Sequence, residues 1–310
     1  MYDLNQESLN KAKEYLNSAI EKDPDWAQLY SALAQVWSAI LQAGHELPEV
    51  AGPKIFEYLN KALELDPNSA ESLYTKAVIA VWAEWDWEKG KEAFEKSLEI
   101  NPNNAMCRVF YGHLLMILQR SDEALSQAKL AVELDPLDPF ILTLSAVVYN
   151  DAGDRKNALS HLDKALSIDP QHFFTFSIVE LIAFQDGDYD RAFESGKFIM
   201  TNDFLSSEED AIKEIERIYD EQGFFAAYEA ITQQMEIMAQ DEYINPMDLA
   251  IRYYWLNKYE KTMDWIEKGF DLHDQNMPYL TTGIYTLYSL YDNPRFIDIV
   301  EKMNLPLPNN

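Results

Sequence analysis

Five histidines, His45, His113, His161, His172 and His273, are the first side chains to test for chemistry, because imidazole titrates near neutrality and binds metals. No two stand three or four residues apart, the spacing that would put a pair on one helix face. Carboxylates are abundant, and Glu208-Glu209 or Glu84 with Asp86 have the residue types for general acid–base work. Among 53 Asp and Glu such pairs arise by chance, and Glu208-Glu209 is better explained by the helix start it decorates. Cys107 is the only cysteine, which excludes an intrachain disulfide and a multi-cysteine metal site. Trp82, Trp85 and Trp87 could form an aromatic platform for a ligand, but the usual burial of Trp favours their filling a widened turn between helices. There is no Gly-rich phosphate loop, no His-Glu-x-x-His pair and no Gly-x-Ser-x-Gly elbow. The expectation is a chain that is not an enzyme, with no cofactor and no metal.

The elements that would position these residues are announced by a recurring phrase. Lys61-Ala-Leu-Glu-Leu-Asp-Pro67 returns as Lys96-Ser-Leu-Glu-Ile-Asn-Pro102, Leu130-Ala-Val-Glu-Leu-Asp-Pro136 and Lys164-Ala-Leu-Ser-Ile-Asp-Pro170, with a fainter copy at Ser18-Ala-Ile-Glu-Lys-Asp-Pro24. Each reads as an amphipathic helix end followed by a stop, since proline lacks the N–H and biases the residue before it away from helix. The regular steps are 35, 34 and 34 residues. Small residues recur five before the proline (Ala19, Ala62, Ser97, Ala131, Ala165), marking lines of close helix approach. Twelve before it the residues are Ala12, Ile55, Gly90, Ala124 and Ala158. Ten after it they are Ala34, Ala77, Gly112, Ala146 and then Glu180. A carboxylate at a packing position is costly unless paired. The expectation is that the helix from Gln171 to Gln185 rotates or splays to let Glu180 reach water.

With a period near 34 and helix, turn, helix in each unit, the chain resembles the tetratricopeptide-repeat family. The fold expected is all-α, an α/α superhelix of antiparallel helix pairs, right-handed, with about 17 helices and no strand. Residues 1–203 read as the regular array and 204–310 as a divergent extension stacked on it. Gly44 to Pro53 reads as a loop that stretches the first step, and Ser207-Glu-Glu-Asp210 as a capping box.

The family's geometry implies that residues four, seven and eleven after each proline line a concave groove. These are Gln28, Ser31, Gln35; Glu71, Tyr74, Val78; Met106, Val109, His113; Phe140, Thr143, Val147; and Phe174, Ser177, Leu181. None is Lys or Arg, so the basic clamp with which chaperone-binding relatives hold a C-terminal carboxylate is missing. The candidate partner-binding residues are Tyr74, Val78, Met106, Val109, His113, Phe140, Thr143 and Phe174. They would offer an apolar, partly aromatic strip to an extended peptide or an amphipathic helix. Two alternatives stand beside this: the chain's own C-terminal segment covers the strip, or the strip simply packs the superhelix.

Net charge is −28, from 53 Asp plus Glu against 25 Lys plus Arg. Binding to nucleic acid or to an anionic membrane draws on clustered Lys and Arg, so neither is expected. A charged partner should be basic. The N-terminus carries no basic region followed by an apolar run, and the longest apolar run, Ala77 to Ala83, is too short to span a bilayer. A soluble, cytoplasmic protein is expected.

Phrases outside the repeat carry a closer resemblance. Trp85-Asp-Trp87, Leu134-Asp-Pro-Leu137, Tyr243-Ile-Asn-Pro246, Trp265-Ile-Glu-Lys-Gly-Phe270, Asn293-Pro-Arg-Phe296 and Leu305-Pro306 come in an order similar to the C-terminal repeat halves of some bacterial signalling proteins. In those a winged-helix, adenylate cyclase or serine/threonine kinase output domain precedes the repeats, and no such domain is present in this sequence. The resemblance implies a protein- or peptide-binding scaffold or regulatory module, with an attached N-terminal output domain as a further partner. The alternative is a small-molecule sensor whose ligand occupies the groove near Tyr74, Met106 and His113.

Overall fold

The structure is a computed structural model and describes residues 6–42, 46, 48–202, 209–240 and 243–307. Among the described residues there are sixteen α-helices, packed as sequential antiparallel pairs, and two short 3-10 turns. Two compact units, Met1–Leu114 and Leu115–Asn310, divide the chain within one helix.

Unit 1 holds α1 (Gln6–Lys22), α2 (Ala27–Gln42), α3 (Pro48–Leu65), α4 (Ala70–Trp82), α5 (Trp87–Ile100) and most of α6 (Ala105–Ile117). α2 pairs with α3 and α4 with α5, while α2 also packs on α4, so the first helices of successive pairs lie side by side. Ala34, Ile55, Leu59 and Ile79 form a buried cluster between them, with Trp37, Leu41, Tyr58 and Leu63 around it. The expected loop up to Pro53 is shorter than the sequence suggested. α3 starts at Pro48, a residue pre-set for the first helical position, and Pro53 inside it forfeits only an early intrahelical bond.

Unit 2 holds α7 (Ser121–Leu134), α8 (Pro139–Asp151), α9 (Arg155–Ile168), α10 (Phe173–Gln185), α11 (Tyr189–Asn202), α12 (Glu209–Gln222), α13 (Phe224–Met238), α14 (Pro246–Trp255), α15 (Tyr259–Asp271) and α16 (Pro294–Lys302). The 3-10 turns Met277–Tyr279 and Tyr288–Leu290 lie between α15 and α16. Here too the first helices of successive pairs, α8 and α10, pack on one another. His45 and, from the expected capping box, Ser207 and Glu208 lie outside the described residues.

The repeat phrase has a uniform local structure. The residue before the proline, Asp66, Asn101, Asp135 or Asp169, gives its N–H to the carbonyl of the small residue four earlier, Ala62, Ser97, Ala131 or Ala165. It then turns extended, as at Asn101 (φ −127°) and Asp169 (φ −129°), because the following proline disfavours helix there. The side chains of Asp66, Asn101 and Asp169 accept from the N–H two residues on and close the turn. The small residues at the marked offsets Ala34, Ala62, Ala77, Ser97, Ala131, Ala146 and Ala165 are fully buried, as lines of helix contact require.

Candidate functional site

In unit 1 the face carried by α2, α4 and α6 is built partly from polar pairs that lock its helices together. Ser31 and Ser72 share a hydrogen bond of 2.6 Å, and the Gln35 amide donates to Thr75 Oγ1 at 2.9 Å. Of the candidate residues, Tyr74, Val78 and Met106 are partly exposed, whereas Val109 and His113 are buried. The Tyr74 ring lies 6.0 Å from Phe110 and 6.4 Å from Phe94, so one face packs inward. The His113 ring lies 6.3 Å from that of Phe110. Trp82 and Trp87 are buried, and Trp82 meets Phe94 and Phe110 edge-on at 6.5 and 5.3 Å, so it packs against the rings of α5 and α6. Cys107 is buried with Sγ 3.4 Å from Ser97 Oγ, and burial pushes the thiol up to about 11, away from thiolate reactivity.

In unit 2 Phe140 and Phe174 are partly exposed and meet at 5.4 Å. Thr143 is buried. Its hydroxyl contacts Pro139 O at 2.8 Å and Thr175 Oγ1 at 2.6 Å, and Thr175 in turn meets His172 Nδ1 at 2.7 Å. Burial moves the His172 pKa down, which favours the neutral ring.

The far end of the same α8–α10 face is covered by a C-terminal segment, as one of the two alternatives expected, though the side chains that hold it were not singled out in the sequence. The segment after the 3-10 turn Met277–Tyr279 runs across it with its main chain held by side chains. Gln119 Nε2 donates to Thr281 O (3.1 Å), and Gln185 Nε2 to Gly283 O (3.3 Å) and Ile284 O (2.7 Å). Tyr254 OH donates to Thr286 O (2.8 Å) and accepts from Ser289 N (3.3 Å). Gly283 N donates to Asp151 Oδ1 (2.6 Å). Asp151 and Gln185 both stand fifteen residues after a repeat proline, where the earlier repeats have Ala39, Trp82 and Ile117. That switch from apolar to polar was the available signal.

Glu180 is not turned toward water. It is 5% exposed in α10, with Oε1 3.4 Å from a guanidinium nitrogen of Arg252 in α14, so the expected rotation is corrected. Gly196 of α11 makes the room, because a Cβ there would stand 2.8 Å from Glu180 Oε1. The guanidinium carbon lies 4.8 Å over the Tyr228 ring. Burial raises the Glu180 carboxyl pKa, and the nearby Arg252 charge partly offsets that rise. The cation comes from α14, beyond the regular repeat. Arg252 was legible only as one charge inside the apolar run Leu249-Ala-Ile-Arg-Tyr-Tyr-Trp255.

A trough of about 510 Å³ opens between α9, α10 and α11, lined by Leu166, Phe176, Val179 and Phe198 with Arg191 and Lys197. Its cations are engaged, Arg191 with Asp163 at 3.1 Å and Lys197 with Glu194 at 2.8 Å and Glu216 at 3.4 Å. Among the described residues no group of three or more His, Cys, Asp or Glu is placed to hold a metal ion. No helix among them is long and apolar enough to cross a membrane.

Residues 141–172 match the family model for a tetratricopeptide repeat. No curated protein matches the chain in sequence. Among solved structures, the APC/C hetero-tetramer Cut9-Hcn1 is similar over 95% of this chain and 46% of its own, at 14% identity and a TM-score of 0.51. The chain thus spans under half the length of that relative, and the likeness is one of fold. YrrB, described as a TPR protein with an unusual peptide-binding site, is 24% identical over 55% of this chain and 84% of its own, with a TM-score of 0.36. The pilF protein of Pseudomonas aeruginosa is 19% identical over 81% of this chain and 94% of its own, with a TM-score of 0.42.

Proposed function

From a tetratricopeptide repeat at 141–172, set in sequential helix pairs, we propose that this chain is a non-catalytic scaffold that binds protein or peptide. Tetratricopeptide repeats generally bind proteins or peptides and are typically non-catalytic. The observation that carries the reading is the partly exposed apolar set Tyr74, Val78 and Met106 on the first-helix face of unit 1, with no Lys or Arg among the groove positions. Side chains of this kind suit adaptable apolar contact, and the surrounding net charge of −28 selects a basic or apolar partner over an acidic one. In unit 2, Phe140 and Phe174 offer a second, smaller aromatic contact. Val109, His113 and Thr143 serve by setting helix spacing, since they are buried.

Two finer readings belong to this proposal. The regular array, 1–203, supplies the partner surface, and 204–310 is a divergent extension stacked on it. The scaffold also regulates an attached output domain of a signalling protein, supported by the order of the phrases from Trp85 to Pro306.

The test is a panel of extended peptides, basic-apolar and acidic-apolar, titrated against the full chain by fluorescence anisotropy. Basic-apolar peptides bind, and Val78→Asn or Met106→Gln weakens them at least tenfold while the helical circular dichroism stays as in the unsubstituted chain. Equal binding of both peptide classes, or binding indifferent to both substitutions, overturns the proposal.

A further inference from the structure

Residues 280–290, a run of turns ending in the 3-10 helix Tyr288–Leu290, are held to the rest of unit 2 largely by their main chain. Six main-chain groups, Thr281 O, Gly283 N and O, Ile284 O, Thr286 O and Ser289 N, meet the side chains of Gln119, Asp151, Gln185 and Tyr254. Main-chain contacts of this kind give affinity without demanding a particular sequence, and side-chain pockets add the selection. The clamp is itself oriented, since the Gln185 Oε1 atom accepts from Arg155 at 3.0 Å and from Asn150 at 3.3 Å, which aims Nε2 at the segment. One position favours glycine: a Cβ at Gly283 would stand 3.2 Å from Asp151 Oδ1, tight enough that the carboxylate must shift by a few tenths of an ångström, and a larger side chain demands more.

The docked segment also carries an unusual concentration of energetic cost. Thr286 has φ 53°, a left-handed conformation that is a genuine outlier for a β-branched residue. Thr281 Oγ1 is buried with no hydrogen-bond partner among the described residues. Asp151 meets the segment as a largely buried carboxylate, and its charge is felt by Tyr288 and Tyr291 of the segment. Opposing these costs, Leu280, Ile284, Leu287 and Leu290 are buried. Strain of this sort persists where the surroundings hold a segment in place, and it concentrates at clamps and switches.

We propose that residues 280–290 are a releasable strap, and that its departure opens on α8, α10 and α14 a surface that takes, by its main chain, an apolar peptide folded into the same turns, with glycine at Asp151. The strap is the resident occupant, and a peptide of the same chemistry is its competitor. This rests on the peptide-binding reading above, but no step of its test involves Tyr74, Val78 or Met106, so the two fail separately.

Hydrogen–deuterium exchange on the full chain, combined with a fluorescein-labelled synthetic peptide of residues 279–291, decides it. Amides of 284–289 exchange at least tenfold faster than those of α8. Gly283→Val speeds the strap a further tenfold and raises affinity for the peptide at least tenfold over the unsubstituted chain. Thr286→Gly, which relieves the left-handed strain, slows strap exchange about fivefold and weakens peptide binding. Strap amides as protected as α8 in all three chains overturn the proposal. So does a Gly283→Val chain with an exchanging strap and an intact α8 that leaves the peptide unbound. If Gly283→Val fails to fold, Thr286→Gly decides alone. Slower exchange confined to the strap supports release, and slower exchange throughout unit 2 overturns it.

Discussion

Buried carboxylates in unit 2 divide by how many of their oxygens are used. Asp151 accepts from Gly283 N through Oδ1, and burial raises its carboxyl to about 6. Asp274 is also raised to about 6 by burial, yet it uses both oxygens, Oδ1 for Asn276 N (2.8 Å) and Oδ2 for Met247 N (3.0 Å). A raised folded pKa means that stability is fully present below the unfolded value and is lost as pH rises from about 4 through about 6. Asp151→Asn keeps one acceptor and removes the buried charge. It should raise Tm at pH 7.5 by about 2–4 °C, for roughly 1 kcal/mol, and leave it unchanged at pH 4. Asp274→Asn turns an NH2 group toward an N–H donor and should lower stability by about 1–3 kcal/mol at pH 7.5. Thermal melts at both pH values check the pair, and equal shifts for the two variants would sink the distinction. Glu180 and Arg252 follow a third pattern. Either one alone changed to Ala should cost about 3–5 kcal/mol, because its partner stays buried and charged. Glu180→Met with Arg252→Met should fall within about 1 kcal/mol of the original, as buried pairs replaced by apolar side chains often do. Urea unfolding of the two single variants and the double variant measures this coupling.

Helices are matched to one another through positions where no methyl group fits. Gly90 in α5 is the sharpest, since a Cβ there would lie 2.4 Å from Val81 Cγ2 in α4. Valine in a helix is confined largely to one rotamer and cannot swing aside. Gly90→Ala should therefore destabilise the chain by about 1–3 kcal/mol, the usual cost of overpacking. In a Val81→Ala background the same change should cost less than about 0.5 kcal/mol, since the methyl in conflict is gone. Denaturant midpoints of the four chains check it, and an equal cost in both backgrounds would place the strain elsewhere. Elsewhere in the repeat, the small positions Ala124 and Ala158 accept a methyl. The periodic pattern showed that these positions are small, while the facing residue decided which must be glycine.

At the scale of the molecule, charge dominates. Residues 115–310 carry 35 Asp and Glu against 15 Lys and Arg, so most of the −28 sits in that stretch. Exposed ion pairs such as Lys11–Glu7 and Lys302–Asp298 return little, and Arg295 faces Glu260, Asp264 and Glu267 together. Self-repulsion of this size opposes compactness and is screened by salt over about 8–10 Å at physiological strength. Raising NaCl from 20 to 300 mM at pH 7.5 should raise Tm, and over the same range binding of a basic peptide should weaken. A falling Tm would show that the ion pairs outweigh the repulsion.

The helical repeat was legible in the sequence because its causes are local. Proline ends a helix by its own chemistry, side chains three and four apart share a face, and small residues recur because each pair meets the next in the same way. The all-helical pairing, the helix ends at Pro67, Pro102, Pro136 and Pro170, and the buried small lines at Ala77, Ala131 and Ala165 all follow from that. What lies outside the repeat had no period to betray it. The tertiary structure alone brought Arg252 to Glu180 across 72 residues and Gly283 to Asp151 across 132. It also decided that Tyr74 and Met106 stay partly exposed while Val109, His113 and Thr143 are buried, because exposure depends on which helices pack over a face and a helix's own pattern does not name them.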